Sequence, residues 1–190
     1  MKKNNYKIVF AGEGGQGVQS VANVFARAAY YAGLNISYIP NYGVEQRGGV
    51  SLGFLQFGKD VIGFPKFKKA DIMVVMCERA IERTEDYHDD NTLYIYDVDL
   101  IPSSKLSHIA AEKLPVQASS VAAEKLEPKV FNMVLAGALL SEIPMLKFED
   151  LEKGMEDVLA DKFKKKAQLR NLNKRALQLG ARMANEAYVK

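Results

Sequence analysis

The sequence predicts an α/β fold: a doubly wound, Rossmann-like, mostly parallel sheet with a β-hairpin insertion and C-terminal helices. Three observations carry this. Residues 6–11 (YKIVFA) form an apolar run stopped by glycines, the pattern of a strand buried on both faces. From Val18 the spacing changes, and Val18, Val21, Ala22, Phe25, Ala29 and Ala32 share one helical face, with Gly33 suited to the C-terminal cap. Further apolar runs at 35–40 (NISYIP) and 70–76 (ADIMVVM) repeat the strand signal. Strand, glycine turn, helix and strand in that order begin a parallel sheet.

The remaining elements follow in order. Residues 50–57 (VSLGFLQF) read as a strand, Gly58, Lys59 and Asp60 as a hairpin turn, and 61–64 (VIGF) as its return strand. Strands are also expected at 92–96 (TLYIY) and 114–118 (LPVQA), the second carrying Pro115. Residues 130–140 are apolar nearly all round, with Asn132 the polar exception, and predict a buried helix. Two more helices are expected at 148–159 and 164–188. In the last, Leu169, Leu172, Ala176, Leu179 and Met183 form a stripe for packing on this domain or on another subunit.

Composition narrows the function classes. The chain has 190 residues, 48% hydrophobic, and a formal net charge of +3. That length suits one domain, and so slight a basic excess does not argue for nucleic acid. The one cysteine, Cys77, excludes an internal disulfide and a cluster or zinc site held by this chain's thiolates alone, and it fits a reducing cytoplasm. His88 and His108 lie far apart. The apolar stretch near the N-terminus is too short for a signal peptide, and no run approaches the roughly 20 residues of a membrane span.

Two loops carry the chemistry. Gly12, Glu13, Gly14, Gly15, Gln16 and Gly17 fit G-x-G-x-x-G between strand and helix. Glycines let the backbone approach a ligand, and the helix start offers N–H groups and a positive dipole end to an anion. A nicotinamide dinucleotide site also needs a carboxylate about 20 residues on, where this chain has Tyr38, Ile39, Pro40 and Asn41. Glu13 places negative charge in the loop, and Val18-Gln19 replaces the Lys-Ser/Thr of a P-loop. A bare packing turn remains the alternative. The second loop, Tyr42, Gly43, Val44, Glu45, Gln46, Arg47, Gly48 and Gly49, lies on the same sheet edge in an open α/β fold. An exposed Glu45–Arg47 pair is its plainer explanation.

G-x-G-G-Q-G after the first strand, followed by Y-G-x-E-x-R-G-G after the second, resembles the gamma family of 2-oxoacid:ferredoxin oxidoreductases of the pyruvate, 2-oxoglutarate and ketoisovalerate type. Pro65 ahead of Ala70-Asp71, Asn132-Met133-Val134 ahead of Gly137-Ala138, and Asn173 and Ala176 ahead of Gly180 resemble that family's later motifs. The resemblance runs from about Tyr6 to Gly180. Glu13 departs from it, standing where the family often has a small or aromatic residue, and 93–99 lacks its glycine-rich approach.

The resemblance implies one gamma-type domain over 1–190 that is inactive alone. The complete enzyme oxidatively decarboxylates a 2-oxoacid to an acyl-CoA and passes electrons to ferredoxin or flavodoxin. Alpha, beta (thiamine diphosphate) and delta (ferredoxin-like) partners are implied. The complex is expected to use thiamine diphosphate, Mg2+, iron–sulfur clusters and coenzyme A, with no cofactor bound by this chain alone. The gamma domain is expected to pack over the catalytic subunits and help to form the coenzyme A region. Cofactor-binding candidates are Gly12, Glu13, Gly14, Gly15, Gln16, Gly17, Tyr42, Gly43, Glu45, Arg47, Gly48 and Gly49, with Gln16 offering its amide to a ligand or partner. No catalytic residue or metal ligand is assigned, and no nucleic acid or membrane partner is expected. An indolepyruvate oxidoreductase small subunit, a stand-alone nucleotide-binding protein and a purely structural assembly subunit remain alternatives.

Overall fold

The computed structural model describes residues 3–42 and 49–187. Its chain order is β1 (Asn5–Glu13), α1 (Val18–Tyr31), β2 (Asn35–Asn41), β3 (Val50–Gly58), β4 (Ile72–Val75), α2 (Ala80–Thr84), β5 (Leu93–Asp97) and β6 (Glu112–Val116). Five helices follow: α3 (Ala118–Lys125), α4 (Phe131–Ser141), α5 (Phe148–Val158), α6 (Ala160–Lys165) and α7 (Gln168–Ala187). The α/β class is as expected. The six strands lie in the order β2-β3-β1-β4-β5-β6. β1, β4, β5 and β6 pair in parallel, whereas β3 is antiparallel to both β1 and β2.

That arrangement corrects one expectation and adds a feature the sequence did not show. β3 is inserted between β1 and β2. The hairpin exists, but β2 and β3 form it, and 61–64 is not a strand. The reason is edge availability: β1 and β2 already occupy both hydrogen-bonding edges of β3. The segment after β3 instead crosses its face, where the Gln56 amide donates to the carbonyls of Phe64 and Pro65 at 2.8 and 2.9 Å. Phe67 then packs edge-on against Phe54.

β1 is buried on both faces, as its apolar run requires. Ile8 and Phe10 face the helices, and Val9 and Ala11 face the opposite layer. Residues of α1 and α3 to α7 build the first layer. The second is thinner, made by Ala80 and Ile81 of α2 with residues such as Ile101, Leu106 and Ile109 from the segment between β5 and β6.

Most of the C-terminal stripe turns inward. Ala176 of α7 is fully buried beside Leu177, and Leu169, Leu172 and Met183 pack against the same core, whereas Leu179 is outside it. The expected 164–188 helix is two pieces, because the chain breaks at Lys166, with φ −143° and ψ 88°, between α6 and α7. Gly137 of α4 meets the Leu177 carbonyl, and Gly180 of α7 meets the Val134 carbonyl, so the two backbones touch without side chains between them.

His88 gives the fold a pH dependence. Its Nε2 is buried with no hydrogen-bond partner among the described residues. Burial first, and then Lys69, hold the imidazole below its ordinary pKa; His108 acts in the same direction, and Glu85 and Asp89 oppose it. The unfolded chain therefore takes the proton at a higher pH than the folded one. The stability from neutral His88 is complete above about pH 6.5 and is lost as pH falls through the lowered folded-state pKa. We expect the melting temperature to fall on acidification through this range, and His88→Phe to flatten that slope. An identical slope in the variant, followed by circular dichroism, would remove His88 from the account.

Candidate functional site

The glycine loop closes the carboxyl end of β1 and opens α1. Gly15 and Gly17 have φ of 96° and 80°, values that a side chain strains. Gly17 is the N-cap of α1, with no side-chain cap bond and no acid in the first turn. The positive end of the helix dipole is thus left for an anion from elsewhere.

Gln16 shapes the loop from within. Its Oε1 accepts from the Glu13 N–H at 2.8 Å, and its Nε2 donates to the Met76 carbonyl at 3.2 Å, just past the end of β4. The expected ligand-directed amide is therefore engaged inside the chain, and Gln16 braces the turn. A Cβ at Gly12 would lie 2.7 Å from that Gln16 oxygen. Glu13 points its carboxylate at the Arg79 guanidinium, 3.0 Å away, so a basic neighbour compensates the loop's negative charge. This pair is largely solvated, and its worth is in charge balance rather than stability.

Asn132, near the start of α4, donates from Nδ2 to the Gln16 carbonyl at 3.0 Å, and any Cβ on Gly17 would run into it. Sequence reasoning did not name Asn132 or Arg79 as site residues. The signal available for Asn132 was a lone polar residue in an otherwise apolar helix. Gln19 was missed too. It accepts from the Tyr38 hydroxyl at 2.5 Å and donates to the Leu52 carbonyl at 3.0 Å, tying α1 to β2 and β3. Burial, with the neighbouring Tyr42, pushes the Tyr38 pKa up to about 12, so its hydroxyl remains a donor.

The two expected loops meet: the Gly14 N–H donates to the Gly49 carbonyl at 3.2 Å. Tyr42, the residue after β2, is 68% exposed. Gly43, Glu45, Arg47 and Gly48 lie outside the described residues. Cys77 is buried, and burial raises its thiol pKa, so it stays a protonated, weakly nucleophilic thiol. Among the described residues no three His, Cys, Asp or Glu side chains converge as a metal site, and no helix is long and apolar enough to cross a membrane. A dinucleotide fold needs β2 beside β1 with an acid at its end. Here β3 intervenes and β2 ends in Asn41.

With this geometry in view, comparison with known proteins decides the family. The model of the pyruvate ferredoxin/flavodoxin oxidoreductase family matches residues 7–183. The chain belongs to the pyruvate ferredoxin/flavodoxin oxidoreductase family. Within this family it is 29% identical to the 2-oxoglutarate synthase subunit KorC of Methanocaldococcus jannaschii, over 82% of this chain and 84% of that subunit. Its fold matches the gamma subunit of keto/oxoacid ferredoxin oxidoreductase from Geobacter sulfurreducens with a TM-score of 0.78 at 24% identity, over 95% of this chain and 99% of that one. It also matches the 2-oxoglutarate:ferredoxin oxidoreductase of Magnetococcus marinus with a TM-score of 0.83 at 25% identity. That match covers 97% of this chain but 32% of the longer one, which was solved with 2-oxoglutarate, coenzyme A and succinyl-CoA bound. The family members that this chain resembles are thus subunits or segments of 2-oxoacid oxidoreductases, as the two glycine loops led us to expect.

Proposed function

We propose that the chain is the gamma-type subunit of a multi-subunit 2-oxoacid:ferredoxin oxidoreductase and acts in it as one domain. The reaction is 2-oxoacid plus coenzyme A plus two oxidised ferredoxins, giving acyl-CoA, carbon dioxide, two reduced ferredoxins and a proton. Its partners are alpha, beta and delta subunits, with ferredoxin or flavodoxin as acceptor. Thiamine diphosphate, with Mg2+, supplies the decarboxylation chemistry and iron–sulfur clusters the electron path, both in partner subunits. We place the assembly in the cytoplasm, where Cys77 stays reduced.

One observation carries the reading above all: the uncapped start of α1, braced by Gln16 and Asn132, sits where the glycine loop touches Gly49 of the second loop. N–H groups and a positive dipole end suit the phosphates of coenzyme A. In this reading Gly12, Gly14, Gly15 and Gly17 admit the ligand or partner backbone, and Tyr42, Glu45 and Arg47 are the second loop's candidate contacts.

Arg47 offers the direct test. A guanidinium makes forked contacts to phosphate or carboxylate that an ammonium cannot. Arg47→Lys is expected to leave this chain folded. In the reconstituted complex it should weaken subunit association or raise the apparent coenzyme A KM by roughly tenfold or more. Unchanged association together with an unchanged coenzyme A KM removes the second loop from the site.

A further inference from the structure

β2 ends the sheet, with β3 on one side and no strand on the other. In an antiparallel pair every second residue turns its N–H and C=O away from the partner strand. For β2 those outward groups make no hydrogen bond among the described residues. Open edges are ordinarily blunted by charge, by a bulge or by proline. β2 runs NISYIPN in unbroken register with β3, without a charged side chain, and Pro40 near its end is the one blunting residue.

The segment after β3 lies along this strand. Asn35 Nδ2 donates to the Lys59 carbonyl at 3.1 Å and Ser37 Oγ to the Pro65 carbonyl at 3.3 Å. Between those ties stand Val61 and Phe64, 84% and 74% exposed, the two most exposed large hydrophobic side chains among the described residues. The Gln56 bonds to the Phe64 and Pro65 carbonyls hold the segment in place, so these side chains are displayed on a fixed support. The charge beside them is one-sided: Lys59, Lys66 and Lys68 are exposed, against Asp60 alone within 59–68. Lys66 Nζ lies 5.1 Å from the centre of the Phe54 ring, which fixes that charge at the surface.

We infer that β2 pairs with an extended segment of a partner subunit that alternates apolar side chains with carboxylates. The inference rests on the function proposed above, which supplies the partner. The segment's backbone completes the open edge of β2. Its apolar side chains cover Val61 and Phe64, and its carboxylates meet Lys59, Lys66 and Lys68. A second copy would bring the same lysines to the contact, and a membrane surface offers no backbone to pair. Gly58 lies opposite Asn5 at the amino end of β1, so this contact is at the other end of the sheet from the glycine loop.

Hydrogen exchange of the β2 amides, read in the isolated full chain and in the assembled enzyme, tests this directly. We expect rapid exchange of the outward amides in the isolated chain and at least roughly tenfold slower exchange after assembly. Val61→Ser with Phe64→Ser, and separately Lys59→Glu with Lys66→Glu and Lys68→Glu, change exposed side chains and should leave the melting temperature unchanged. Each set should weaken association with the partner subunits roughly tenfold or more, and association of the unaltered chain should weaken as salt rises. Unchanged β2 exchange on assembly overturns the inference, and so does normal assembly by both sets of variants. Protection of β2 in an isolated chain that light scattering shows to be dimeric assigns the edge to a second copy and overturns it too. Binding to phosphatidylglycerol vesicles that the lysine variants abolish, with β2 exchange unchanged on assembly, assigns the patch to a membrane with the same result. If the edge fails these tests while turnover still requires this chain, the inference falls and the proposed function stands.

Discussion

Gly180→Ala is expected to destabilise the chain by about 3 kcal/mol, lowering its melting temperature by roughly 6–12 °C. A methyl there meets the Val134 carbonyl of α4, and backbone cannot rotate away as a side chain can. The two helices must separate, which loosens buried contacts of Leu177 and Leu135. Gly137→Ala should act similarly against the Leu177 carbonyl. Once one methyl has parted the helices the second has less to disturb, so the double variant should cost less than the sum of the two. Thermal melts of the three variants check this, and fully additive losses would mean that the contacts are independent.

Gln16→Leu carries the next largest effect. It removes the acceptor for the Glu13 N–H and the donor to the Met76 carbonyl, leaving two half-buried backbone groups unpaired at the turn. The expected loss is about 2 kcal/mol of stability. In the assembled enzyme a loosened loop should lower kcat/KM for coenzyme A on the order of tenfold or more. A bracing role moves both readouts together. Were Gln16 instead a direct ligand contact, coenzyme A dependence would change while the melting temperature held. Paired melts and kinetics on one preparation separate the two cases.

Much of the fold was legible because its signals are local. The apolar run of β1, the one-sided spacing of α1 and the apolar α4 emerged close to their expected bounds. Strand order was not legible, since inserting β3 between β1 and β2 depends on pairing between distant segments. Residues 61–64 have strand-like composition, but no open edge of β3 remains for them. The break at Lys166 was hidden because the lysine-rich segment around it has ordinary helix propensity.

The site divides in the same way. The glycine pattern identified the turn and, with the second loop, the family. The residues that hold the turn were out of reach, because Arg79 and Asn132 lie 66 and 116 positions from their partners. No local pattern encodes such contacts. Gln16 was seen, but not its two bonds within the chain, since an amide in a glycine loop serves a ligand or its own backbone equally well from sequence.

The central claim is that this chain works as a subunit and not alone. The most direct measurement is 2-oxoacid- and coenzyme A-dependent ferredoxin reduction by the partner subunits, assayed with and without this chain, beside the chain by itself. We expect no turnover by the isolated chain and restoration of activity when it joins its partners. Full activity of the partners without it, or 2-oxoacid oxidation by the chain alone, would contradict the account.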